Sequence, residues 1–153
     1  MLGCAALPGN VRCLPRCDER RGGMPSIVGT WKMVGATARD RDGKPLPAPY
    51  GGKGMGRVAF TAEGRMMAVT CDARPELPPG TSRAYSSYCG NYTFDGKRLV
   101  TRVDASSDPA RIGSDQVREV SFEGDTMILR PPPRPTDAGE EYREISWVRL
   151  SSD

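Results

Sequence analysis

Along most of this chain apolar and polar residues alternate at every second position, and no stretch of ten residues carries the 3.6-residue apolar period of a helix. The pattern predicts strands. Ser26 to Thr37 contains the first, from Gly29 to Thr37, in which Trp31, Met33 and Gly35 share one face and Lys32, Val34 and Ala36 the other. A polar loop rich in Pro and Gly, Ala38 to Gly56, leads to a second strand, Arg57 to Thr61. Ala62-Glu63-Gly64 turns it back into Arg65 to Cys71, the clearest hairpin in the chain. Met66 and Met67 fall on opposite faces there, so one of them belongs in the core.

The prolines of Asp72 to Ser82 predict a loop, followed by a short helical turn around Arg83 to Ser87. Tyr88 to Asp95 is a fourth strand with Tyr88, Gly90, Tyr92 and Phe94 on one side, and Asp95-Gly96 turns it into Lys97 to Asp104. After a loop from Ala105 to Ser114, Asp115 to Glu123 places Gln116, Arg118, Val120 and Phe122 opposite Val117, Glu119 and Ser121. Thr126 to Arg130 returns as the seventh strand, Pro131 to Gly139 is an extended loop, and Glu141 to Leu150 is the eighth. Eight neighbouring strands joined by tight turns are enough to close an all-β, antiparallel up-and-down barrel with little helix. An open sandwich is the second possibility.

Composition narrows the function more than the fold. A chain of 153 residues is the size of one domain, and its 18 glycines and 14 prolines suit many turns. We read 1–23 as a disordered extension with no export signal, Met24 as a plausible start, and 24–153 as the barrel domain. The net charge of +3 comes from mixed signs, which argues against nucleic acid, and the lack of a long apolar run argues against a membrane span. The chain has no histidine, which excludes His-based triads and His-ligated metals, and no metal site or cofactor is expected. Of five cysteines, Cys71 and Cys89 fall within the domain; the odd total and missing export signal favour free thiols and a cytoplasmic protein.

Gly29-Thr30-Trp31 at the start of the first strand, with Trp147-Val148-Arg149 in the last, resembles the calycin pattern, in which a basic side chain near the C-terminus covers an N-terminal tryptophan. The longer series GTWKMV, GRVAFTAEGRM, YCGNYTFDG, IGSDQVREVSFEGDTMIL and ISWVRL is similar to the bacterial and fungal lipocalin-like domain family, over about Ile27 to Leu150. The resemblance implies a small barrel with a closed end, for which Gly29, Trp31, Trp147 and Arg149 are structural residues. Relatives often carry a histidine near Leu99 to Val103; this chain has Thr101 and Arg102 there, so no chemistry of that histidine carries over.

With Trp147 marking the inward side of the last strand, alternation turns Arg118 and Gln116 toward the interior. An arginine among apolar neighbours needs a carboxylate or an anionic ligand. Tyr88 and Tyr92 add phenol hydroxyls, Arg102 is a further candidate, and Tyr50 is placed to fold over the mouth from the long first loop. No catalytic constellation is present in the sequence. The expected function is binding of a small apolar ligand with a polar or anionic end. The alternative is an isomerase or cyclase of natural-product type, with Tyr92 and Arg118 as proton donor or charge stabiliser.

Overall fold

The computed structural model describes residue 23 and residues 25–151. The expected extension over 1–23 lies almost wholly outside the described residues, as does Met24. Ten strands follow in order: β1 (Gly29–Arg39), β2 (Pro45–Leu46), β3 (Gly54–Phe60), β4 (Arg65–Asp72), β5 (Tyr85–Phe94), β6 (Arg98–Ser106), β7 (Asp115–Glu123), β8 (Thr126–Arg130), β9 (Arg134–Thr136) and β10 (Gly139–Ser151). Each long strand pairs antiparallel with the next, and β10 pairs back onto β1, so eight strands close a ring while β2 and β9 are short additions at its rim. The barrel expected from the alternation is present, and the open sandwich is not.

Direction alternates around such a ring, so the tight turns after β3, β5 and β7 lie at one end. The long segments 40–53, 73–84, 107–114 and 131–138 lie at the other. Prolines within these long segments withhold the amides that would extend the strands. The core clusters toward the tight-turn end: Ile27, Trp31, Met33, Val58, Phe60, Met66, Leu99, Val120, Met127, Leu129 and Trp147. Met66 is the buried member of the methionine pair, and Met67 is 60% exposed.

The structure departs from simple alternation at several points. In β1, Met33 stands opposite Trp147 but Gly35 opposite Ser146, so Val34 is an extra residue; Ala36, not Gly35, then packs toward the core. β5 begins at Tyr85, and Ser86 and Ser87 pair with Thr70 and Val69, so the expected helical turn at Arg83 to Ser87 is replaced by strand. Cys71 and Cys89 are free and stand opposite Tyr85 and Met67 respectively.

A second bulge lies between Cys89 and Gly90. A Cβ built at Gly90 would come 1.9 Å from the Arg102 carbonyl oxygen, which is backbone and cannot swing aside. Gly90→Ala is therefore expected to cost about 2 kcal/mol or more, within the range for forced overpacking. Chemical denaturation at unchanged m-value checks it; a loss below about 0.5 kcal/mol would show that the ladder shifts freely there.

Candidate functional site

The tight-turn end is plugged. Trp31 is 2% exposed, its indole N–H donates to the Ile27 carbonyl at 2.9 Å, and the Arg149 guanidinium lies 4.2 Å from its ring centroid. Arg149 also donates to the carbonyls of Val28 and, at 2.6 Å, Ser26, so one side chain ties the entering chain to the last strand. Gly29, at φ 126°, enters β1 in a conformation that side chains rarely adopt. Trp147 is buried on the same face of β10 as Arg149.

Of the two tyrosines expected to meet a ligand, Tyr92 belongs to this plug. Its ring makes an edge contact with Phe60 at 5.2 Å and its hydroxyl donates to the Thr61 carbonyl at 2.8 Å, while burial pushes its pKa up. That hydroxyl's proton is already committed within the plug. Tyr88 faces the interior nearer the wide end, with the Arg111 guanidinium 5.8 Å from its ring centroid. Arg102 is a correction of a different kind: it stands on the outer face between Asn91 and Asp115, exposed and ion-paired to Asp115 at 3.3 Å. Its neighbour Thr101 is the inward residue at that level, 1% exposed.

Gln116 and Arg118 take the inward side of β7, opposite Thr101 and Leu99. The Gln116 amide donates to the Ser114 hydroxyl at 3.2 Å, and Arg118 donates to the Val117 carbonyl at 2.7 Å. The strongest feature lies across from them. Arg143 shares the face of Ile145 and Trp147 on β10 and stands opposite Ala38. It is half-buried, and its Nε–H finds no hydrogen-bond acceptor among the described residues. The Glu141 carboxylate lies 3.3 Å from that nitrogen but off the N–H direction, and it accepts instead from Arg134 Nε at 2.8 Å. Burial lowers the Arg143 pKa, and the like charges of Arg134 and Arg118 lower it further against the opposing pull of Glu141. The Glu141 carboxylate is shared by Arg143 and the exposed Arg134, and Arg118 adds a third guanidinium, so these four groups carry a net positive charge that an anionic group would balance. The indole N–H of Trp147, two positions beyond Ile145, is a second buried donor without an acceptor among the described residues.

Sequence reasoning found Arg118 and missed Arg143, although the same two-residue period that turns Ile145, Trp147 and Arg149 inward reaches Arg143. Glu141 opens the expected eighth strand, but its partner Arg134 falls in the expected loop Pro131 to Gly139 and belongs instead to β9.

Tyr50 does fold inward from the first long loop. Its hydroxyl meets the Thr70 hydroxyl at 2.9 Å, and its backbone is held at φ 56°. Behind it, Asp72 is 1% exposed and accepts from the Arg74 amide and guanidinium, while Arg83 donates to the Asp72 and Arg74 carbonyls. The Arg74 guanidinium in turn fills the space beside Gly51, next to Tyr50. Its hydrogen bonds to Asp72 hold that carboxyl below its ordinary pKa of 3.8. A depressed carboxyl stabilises the fold above its unfolded pKa and loses that contribution as pH falls through the lower folded value. Amide exchange in 49–53 and 73–84 is therefore expected to quicken as pH drops below about 4 beyond the intrinsic pH dependence, and Asp72→Asn is expected to show quickened exchange already at neutral pH. Identical protection in the two proteins at neutral pH would contradict the latch.

Among the described residues, a groove of about 950 Å³ runs along β7, β8 and β10, and another of about 720 Å³ lies beside Trp31, Phe122 and Arg149. Among the described residues no helix is long and apolar enough to cross a membrane. A family model, described as a lipocalin-like domain, matches residues 28–149. No curated protein and no solved structure matches the chain.

Proposed function

Because the chain belongs to the lipocalin-like domain family, we propose that its barrel binds a small amphipathic ligand whose anionic end is held by Arg143 together with Arg118. The observation that carries this reading is the half-buried Arg143, whose Nε–H has no hydrogen-bond acceptor among the described residues and whose charge is balanced only by a Glu141 carboxylate shared with Arg134, with Arg118 as a further guanidinium nearby. A buried donor of that kind costs about 1–3 kcal/mol, more when charged, until an acceptor arrives, so a carboxylate or similar oxyanion gains most at this point. Arg118 supports it from β7, which only β8 separates from β10, with Gln116 and Tyr88 as inward polar neighbours. The free thiols Cys71 and Cys89 suit a reducing compartment, which favours the cytoplasm.

Calorimetric titration of the full chain with sodium dodecanoate and with methyl dodecanoate tests the reading. The acid is expected to bind at least about tenfold more tightly than the ester, because only the acid brings a charge to Arg143. Equal binding of the two, or binding of neither, would overturn the anionic end.

A further inference from the structure

Pro131, Pro132 and Pro133 occupy the place where β8 would continue along β10. β8 leaves β10 at the pair Leu129 and Ile145, and β9 rejoins it at Arg134 and Glu141, so Tyr142, Arg143 and Glu144 have no strand beside them on that side. β7 is similarly released: its last partner on β8 is Arg130, opposite Glu119, which leaves Asp115 to Arg118 unpaired on that edge. Three successive residues without amide hydrogens cannot rebuild either ladder, so Pro131 to Pro133 cross the gap as an unpaired strap. The 950 Å³ cavity lies beneath it.

Arg143 lines that cavity even though Ile145 and Trp147, on its own face of β10, pack into the core. It therefore stands in the gap itself, between lumen and groove. On the groove side Arg39, Lys97 and Arg98 oppose Glu119, while Arg130 and Glu144 pair at 3.2 Å, so the surroundings of the groove remain positive. The strap prolines and Val117 supply its apolar wall. On the lumen side, the part next to β3 and β6 is already taken. Met33 and Tyr50 crowd Gly54, Thr70 and Trp147 crowd Gly56, and Leu99 and Thr101 are essentially inaccessible.

We propose that the ligand binds through the side of the barrel, with its anionic group at Arg143 in the gap between β7 and β10 and its apolar body beneath Pro131 to Pro133, outside the lumen. The inference rests on the reading that Arg143 holds an anionic group, and it specifies an elongated carboxylate whose body lies in the groove.

Ser121 and Thr37 line the groove from the outer face, away from the core, so Ser121→Trp and Thr37→Trp would each fill it. Titrated with sodium dodecanoate, each variant is expected to bind at least about tenfold more weakly than the unmodified chain, with the circular dichroism of the folded barrel retained. Amide exchange on the unmodified chain, which needs no variant, is expected to show dodecanoate protecting Val117 and Tyr142 to Glu144. If both filled variants bind normally, or protection is confined to β3, β4 and β5, while Arg143→Met weakens binding, the ligand lies in the lumen. That result overturns the side-wall site and leaves the anion reading intact. If Arg143→Met also binds normally, both fall.

Discussion

Trp31→Ala is expected to destabilise the barrel by about 3–5 kcal/mol, the range for emptying a buried aromatic site. The indole is enclosed on every side that matters: Ile27 accepts its N–H, Phe122 lies 6.3 Å away ring to ring, and Arg149 covers its face. Removing it leaves a void at the closed end and takes away the surface on which Arg149 stacks, while Val28 and Ser26 still hold the guanidinium by their carbonyls. Arg149→Met removes those two bonds and the stacking but keeps apolar cover over the ring, so a smaller loss of about 1–3 kcal/mol is expected. Because the two groups touch, the double variant should lose less than the sum, and a double-mutant cycle by urea denaturation measures the difference. Strict additivity would mean that the contact between them contributes nothing to closure.

Arg143→Met carries the second large effect, and stability and binding are expected to part company. The variant keeps most of the side-chain volume and removes a half-buried charge that Arg118 and Arg134 repel, while Glu141 keeps Arg134 as its partner, so its melting temperature should change little. Its affinity for dodecanoate should fall by about 30-fold or more, the lower end of what losing one partner of a buried charge contact costs. Arg118→Met should show the same direction with a smaller loss, since that guanidinium already donates to the Val117 carbonyl. An Arg143→Met protein that is several kcal/mol less stable and binds unchanged would assign Arg143 to the scaffold.

How far the sequence revealed these features depends on the period of the strands. Where alternation runs unbroken, as from Gln116 to Phe122 or from Ile145 to Arg149, faces read directly from the chain and the structure agrees. Where one residue is inserted, at Val34 or beside Gly90, the two-residue period changes phase, and no local feature marks the slip. Arg102 shows the other limit. Its strand face was legible, but which face pointed inward depended on Thr101 and Val103 being buried against neighbours far away in sequence. The side-wall gap was hidden for a related reason. Pro131 to Pro133 announced a break in the strand, yet that the chain rejoins β10 at Arg134, leaving Arg143 uncovered between, is a property of pairing across the sheet.

A crystal structure of the full chain grown with sodium dodecanoate tests the central claim most directly. A carboxylate oxygen within about 3 Å of the Arg143 guanidinium, giving that buried N–H its acceptor, is the result expected. Dodecanoate bound elsewhere, with Arg143 satisfied by Glu141 alone, would contradict it.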